Sequence, residues 1–326
     1  MSTRNLALIG AGYWGKNLAR NFHSLGALHT LGDLNPAILA SYGDDYSEVN
    51  KTGDINSIWG DPAITQVAIA APAAHHYQLT EAALLAGKDV YVEKPLCLHA
   101  AEADHLVVLA RERGRILMVG HLLQYHPMVR QLQSWVRQGE LGLLQYISSH
   151  RLSLGKFRRE ENVLWSFAPH DLSVILSLAG DREPEKVLCT GGSFLTPNVE
   201  DAIVTHLAFA GGLRAHVYVN WLNPFKEQKL TAVGSKAMAV FDDTKPWAEK
   251  LAIYRGGVQQ GPGGPIPNKV VPEYATVPEA EPLREECLHF LGCCQTRSVP
   301  RTDGKEGLRV LRVLQAAQAS LERNRT

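Results

Sequence analysis

Two short clusters in this chain could do chemistry: Gly10-Ala11-Gly12-Tyr13-Trp14-Gly15 and Glu93-Lys94-Pro95. A Gly-x-Gly-x-x-Gly turn between a strand and a helix lets backbone N–H groups and a helix N-terminus approach a dinucleotide pyrophosphate. A lysine at a strand end can accept an alcohol proton as hydride leaves carbon, provided burial or a neighbouring cation lowers its proton affinity. Together they imply hydride transfer, with Lys94 as the proton-transfer group. Each has a plainer reading alone, since glycine-rich turns are common and Lys94 could be an exposed strand-end residue.

The surrounding pattern supplies the elements that would position both. Leu6 to Ile9 is a continuous apolar run, as expected of a strand covered on both faces. Lys16 to Leu25 then carries Leu18, Phe22 and Leu25 at helical spacing. Gly10 would allow the tight turn, Gly12 the approach of the pyrophosphate, and Gly15 close packing of helix on strand. A second strand ends at Asp33, 23 residues after Gly10. A carboxylate there accepts the ribose diol and repels a 2′-phosphate, which predicts NAD over NADP. Asp33 also reads as a turn residue before Asn35-Pro36. Further strands at Val67–Ala71, Val90–Val92 and Ile116–Val119 alternate with helices such as Tyr77–Ala86, the mark of a parallel, doubly wound sheet. Ligands of such sheets lie beyond the carboxyl strand ends. Ala71-Pro72 with His75 and His76, Glu93-Lys94-Pro95, and Gly120-His121 all stop there.

The 326 residues suffice for two domains, and 45% apolar with 20% charged content is that of a globular protein. Basic and acidic residues balance at 33 each, which gives no sign of nucleic acid or an anionic membrane as partner. No charged n-region with an apolar h-region precedes Asn5, and no run of eighteen apolar residues occurs, so a cytoplasmic location is expected. Cys97, Cys189, Cys287, Cys293 and Cys294 form an odd set without CxxC spacing, which points to reduced thiols and no metal.

At Glu93-Lys94-Pro95 the chain resembles the glucose–fructose oxidoreductase, inositol dehydrogenase and rhizopine-catabolism (Gfo/Idh/MocA) family. The resemblance runs nearly end to end and includes Pro72-Ala73-Ala74-His75-His76, Lys88 to Pro95, Gly234 and Asp303 to Leu308. It implies an N-terminal Rossmann domain over 1–121 and a substrate-binding and oligomerisation domain over 122–326, with the last helices packing back on the first domain. It also implies a lysine in proton transfer and a helix histidine in the second domain. His170 in Leu164 to Leu172 fits that histidine, with Ser166 where an aspartate is usual. His170 could act as base alone, share the proton with Lys94, orient the hydroxyl, or simply pack. Expected cofactor contacts are Gly10, Gly12, Tyr13, Trp14, Gly15, Asp33, Ala71, Pro72, His76, Glu93, Lys94 and Gln124.

Beyond Gly142 the periodicity shifts toward two. Strands are expected at 144–154, 187–194, 202–209, 213–221, 229–233 and 237–241, with Gly211-Gly212 as a hairpin signal. This is an α+β domain with a large, mostly antiparallel sheet. The family places the open face of that sheet at a subunit interface, so a homodimer or homotetramer is expected. Gly256 to Pro267, with five glycines and three prolines, reads as a mobile loop. Pro282–Cys294 and Glu306–Arg323 read as helices.

Within the family, Gly120 to Pro127, Leu164 to Leu172 and Asn220 to Gln228 are most similar to nucleotide-sugar 3-dehydrogenases. That branch implies a UDP-sugar, UDP-N-acetylglucosamine, oxidised at C3 on the way to 2,3-diamino sugars of lipid A, lipopolysaccharide or surface polysaccharide. Expected substrate contacts are Lys94, His121, Tyr125, Arg151, Trp165, His170 and Lys226. The basic run Lys156, Arg158 and Arg159 reads equally as a diphosphate ligand or a solvated loop. A dehydrogenase of free sugars or inositol, and a non-catalytic NAD-sensing regulator, are the alternatives.

Overall fold

A strand buried on both faces carries apolar side chains throughout, and Leu6, Ala7, Leu8 and Ile9 are all buried in β1 (Leu6–Ile9). The computed structural model describes residues 4–155, 157–180 and 182–324. From β1 the chain continues through α1 (Gly15–Ser24), β2 (Leu28–Gly32), α2 (Pro36–Ala40), β3 (Asn50–Thr52), α3 (Asn56–Gly60), β4 (Gln66–Ile69), α4 (His76–Leu85), β5 (Asp89–Glu93), α5 (Ala100–Glu112) and β6 (Leu117–Gly120). These six strands form one sheet in the order β3-β2-β1-β4-β5-β6, with parallel pairing throughout. The order reverses between β1 and β4, which is where a doubly wound sheet opens a crevice at its carboxyl edge.

A second sheet follows α6 (Pro127–Arg137) and β7 (Leu144–Leu154), with α7 (Val163–Ala179) next in the chain. Its other strands are β8 (Pro184–Gly192), β9 (Ala202–Phe209), β10 (Arg214–Asn220), β11 (Leu222–Gly234), β12 (Ala237–Asp242) and β13 (Leu251–Arg255). Gly211 and Gly212, at φ 76° and 88°, make the expected turn between β9 and β10. The expected loop at 256–267 is instead a two-stranded ribbon, β14 (Val258–Gly261) on β15 (Gly264–Pro267). Glycine and proline content marked the turn there but hid the short strands flanking it. After β16 (Glu273–Tyr274) the eight-stranded order is β16-β13-β12-β11-β7-β10-β9-β8, antiparallel except for β7 with β10. Helix α7 is apolar nearly all round and packs across β10, β7 and β9. Its Leu172, Val174, Ile175 and Leu176 are buried, each contributing about 1.5–3 kcal/mol.

The last helices, α8 (Pro282–Thr296) and α9 (Gly304–Arg323), complete the chain. Contacts divide it into one unit of residues 1–122 with 281–311 and another of 123–280 with 312–326. Within the expected second domain, 122–326, whose last helices were expected to pack back on the first, the segment 281–311 groups with the first unit. Three ties hold it there. Arg297 grips Asp89 at 2.5 and 3.0 Å. Val119 N–H donates to Thr302 O and Thr302 Oγ1 to Val119 O, at 2.8 and 2.7 Å, which covers the β6 edge. Arg20 pairs with Glu281 at 2.5 Å. No described helix is long and apolar enough to cross a membrane.

The glycines of the first turn differ in what they exclude. A Cβ on Gly15 would lie 1.9 Å from Gly10 O, whereas one on Gly12 would meet only Ile38 at 3.6 Å. Gly15→Ala is therefore expected to cost about 3 kcal/mol or more in urea unfolding, and Gly12→Ala less than about 1 kcal/mol. Equal costs for the two would show that close helix–strand packing is not what Gly15 provides.

Candidate functional site

The turn after β1 is a cradle made by missing side chains. Gly10 adopts φ +87°, and a Cβ on it would sit 2.6 Å from Ala71 N, so β1 and β4 nearly touch there. Asp33, just past β2, accepts Ala11 N–H on Oδ2 and Asn35 N–H on Oδ1, both at 2.9 Å. It therefore holds the turn, while each oxygen keeps a second acceptor position for a ribose diol. Tyr42 donates to Ala11 O at 2.7 Å. A cleft of about 450 Å³ opens beside the turn, lined by Ala11, Gly12, Tyr13, Lys16, Ile38 and Tyr42 among others. Tyr13 is exposed, with the Lys16 ammonium 5.7 Å from its ring centre, and Pro72 is exposed at the neighbouring strand end. A crowded glycine turn, open space in front of Gly12 and an acid at the β2 end fit a dinucleotide.

At the carboxyl end of β5, Glu93 is buried and Lys94 is half-exposed, joined to Pro95 by a cis peptide. The Glu93 carboxylate accepts Trp14 Nε1–H at 2.5 Å, the Tyr91 hydroxyl at 2.9 Å and Lys94 N–H at 3.3 Å. Burial pushes its proton affinity up, and these donors with the Lys94 charge only partly offset that. Trp14 thereby ties the glycine turn to the motif that carries Lys94.

His76 and His121 are not the open contacts expected of them. His76 is 1% exposed, with Nδ1 2.6 Å from Pro95 O and Nε2 2.8 Å from Ala71 O. Burial lowers its proton affinity more than the two carbonyls raise it. It bridges the β4 and β5 ends. His121, also 1% exposed, sets Nδ1 2.6 Å from Glu306 Oε2 and so anchors α9.

In the second unit the organising group is Asp171. It accepts Arg151 Nε at 2.6 Å, Arg151 Nη2 at 3.3 Å and Ser149 Oγ at 2.6 Å. The charge of Arg151, expected to hold a diphosphate, is spent on the residue next to His170. His170 itself is half-exposed on α7, directly after Pro169. Gln124, expected at the cofactor, is buried in an amide network. It donates to Ser173 O and Oγ at 2.8 Å each and accepts from Gln133 at 2.6 Å. Tyr125 is buried as well. The Trp165 indole donates to Gln318 at 3.1 Å, where Asn162 also donates at 3.0 Å. Lys226 is exposed in the irregular stretch of β11 between Leu222 and Glu227. Arg158 lies 3.6 Å from Glu161, Arg159 is exposed, and Lys156 lies outside the described residues.

The first unit thus gathers Gly10, Gly12, Trp14, Gly15, Asp33, Ala71, His76, Glu93 and Lys94 around the carboxyl ends of four strands, β1, β2, β4 and β5. Two polar residues behind the motif, Tyr91 and Glu286, escape a reading of the sequence alone. Their signal was faint: a hydroxyl between Val90 and Val92, and an acid on the apolar stripe of Leu283, Cys287 and Phe290.

This chain belongs to the Gfo/Idh/MocA family. Residues 4–121 match its oxidoreductase domain with an NAD-binding Rossmann fold, and 129–240 match its C-terminal domain. It is an NAD-dependent oxidoreductase of the sugar dehydrogenase kind. It is 26% identical to a UDP-N-acetylglucosamine 3-dehydrogenase of Acidithiobacillus ferrooxidans over 97% of this chain and 98% of that one. The structure of that enzyme covers 98% of each chain with a TM-score of 0.84 and 23% identity. A Magnetospirillum magnetotacticum protein described as an oxidoreductase covers 97% of this chain and 99% of its own, with a TM-score of 0.83 and 30% identity. An inositol 2-dehydrogenase of Acidothermus cellulolyticus is 27% identical over 57% of this chain and 56% of that one.

Arg151→Ala leaves the buried Asp171 carboxylate without its counter-ion. It is expected to lower stability by about 3 kcal/mol in urea unfolding. Unchanged stability would return Arg151 to the cations available for a ligand.

Proposed function

We propose that the protein oxidises the C3 hydroxyl of a nucleotide sugar, UDP-N-acetylglucosamine, to the 3-keto form. Bound NAD supplies the hydride acceptor. Lys94 takes the hydroxyl proton at Nζ, so that the carbonyl forms as the C3–H and O–H bonds break. The observation that carries this reading is Lys94 at the carboxyl end of β5, in the same sheet whose β1 enters the glycine cradle. Asp33, as acceptor for a ribose diol, favours NAD over its 2′-phosphate. Similarity to the Acidithiobacillus enzyme along nearly the whole chain supports the substrate. In the second unit His170 is the residue we assign to the sugar, with Asp171 and Arg151 fixing the turn of α7 that presents it. A 3-keto nucleotide sugar suits transamination toward 2,3-diamino sugars.

One observation favours a second reading. Arg151, one of the cations expected at a diphosphate, is paired to Asp171, and a free sugar or an inositol would not call on it. The half-exposed face of the large sheet, with Tyr146, His150, His216 and Tyr218, is the surface we assign to self-association into a dimer or tetramer.

NADH formation should appear with UDP-N-acetylglucosamine and be absent with glucose and myo-inositol. Activity confined to the free sugars would replace the substrate assignment. Lys94→Ala should still bind NAD⁺, read by protein fluorescence, while turnover falls about 10²–10⁴-fold. Turnover at the wild-type rate in that variant would remove Lys94 from proton transfer.

A further inference from the structure

Behind Lys94 lies a buried chain of three oxygen-bearing groups. The Tyr91 hydroxyl, with no solvent exposure, sits 2.9 Å from Glu93 Oε1 and 3.1 Å from Glu286 Oε2. A phenol has one proton and can donate it to one carboxylate only. The other carboxyl must therefore bring its own. The donors already in place decide which. Glu93 also receives Trp14 Nε1–H and Lys94 N–H, whereas Glu286 Oε1 has no hydrogen-bond partner among the described residues. Glu93 is thus the anion. Glu286 is then the carboxyl that must carry the extra proton, shared with the Tyr91 oxygen 3.1 Å away.

The packing is built around this chain. Phe22 and Phe290 present ring edges near Tyr91, at 6.3 and 5.9 Å between centroids, and keep water out. A Cβ on Gly120 would lie 2.6 Å from the Tyr91 oxygen and 3.0 Å from Glu93 Oε2, so glycine at the β6 end leaves the slot open. The other ionisable groups facing the chain are Lys94 at the β5 end, Glu306 on α9, itself bound to His121, and Cys287 beside Glu286 on α8. Burial, reinforced by the Glu93 and Glu306 charges, holds Glu286 well above the usual carboxylate range.

We propose that Glu286 is a positioning residue for proton transfer: as a neutral acid it fixes Tyr91, and Tyr91 fixes the Glu93 carboxylate, so that of these two carboxyls only Glu93 stands charged beside Lys94. This rests on the reading of Lys94 as the proton acceptor. A second anion would raise the proton affinity of Lys94 and empty its acceptor form near neutrality. A Glu93 charge left undrained by Tyr91 would act in the same direction.

The test titrates Lys94 in the full-length protein without substrate, by competitive acetic anhydride labelling across pH read by mass spectrometry. Tyr91→Phe keeps the ring and removes the hydroxyl. It should raise the Lys94 midpoint by about half a unit to one unit, or about 3–10-fold less labelling at fixed pH. Glu286→Leu should raise it too, and Glu286→Gln, whose N–H can still reach Tyr91, should return most of that shift. If Glu286 is ionised, Leu and Gln both lower the midpoint by removing an anion, and the proposal falls. If the chain only stabilises the fold, unfolding midpoints drop while the Lys94 titration stays put, and it also falls. With UDP-N-acetylglucosamine and NAD⁺, the acid limb of NADH formation should follow the labelling midpoint. A moved midpoint with no activity on that sugar would overturn the substrate assignment and leave this inference standing.

Discussion

A carboxylate with almost no access to water needs donors around it, and Glu93 draws them from separate parts of the first unit. Trp14 comes from the glycine turn, Tyr91 from the same strand two residues back, and Lys94 N–H from the motif itself. Those donors fix where the Lys94 side chain begins and tie it to the glycine turn. The tight contact of Gly10 with Ala71 and the His76 bridge from Ala71 to Pro95 close the same circuit from the β4 side. Loss of any member would leave a buried polar group uncompensated, so the strand ends are positioned together.

The second unit solves the same problem, a buried carboxylate, with a cationic partner. Asp171 sits on a helix buried nearly all round, where an unpaired charge would be costly, and Arg151 with Ser149 neutralises it from β7. The helix is thereby locked to the sheet at the residue next to His170. The buried amides of Gln124 and Gln133, bonded to Ser173 and Ser177, hold the chain before and along α6 against the same helix. Side chains whose types suggest ligand contacts are here used to make α7 rigid.

Much of the first sheet was legible because its signals are local. Continuous apolar runs mark its central strands, glycines mark the turn, and proline marks the end of β5. The large antiparallel sheet was legible from alternation, and 144–154 and 202–209 have the expected limits. Polarity alone did not show the internal partners of several side chains. His76, His121, Gln124 and Arg151 carry groups that bind ligands elsewhere, yet each satisfies a neighbour inside its own unit. The ribbon at 258–267 shows the same limit, since composition marks a turn without showing whether its flanks pair.

Taken alone, the sequence determined the fold class, the cradle, the acid at the β2 end and the lysine at the β5 end, because each depends on residues close together in the chain. Tertiary structure decided which polar side chains stay available for chemistry and which serve as internal counter-ions. It brought Glu286 to Tyr91 across 195 residues and Arg297 to Asp89 across 208, and so returned 281–311 to the first unit. A buried charge is tolerated only beside its partner, and such partners are chosen by folding in space, not by spacing along the chain.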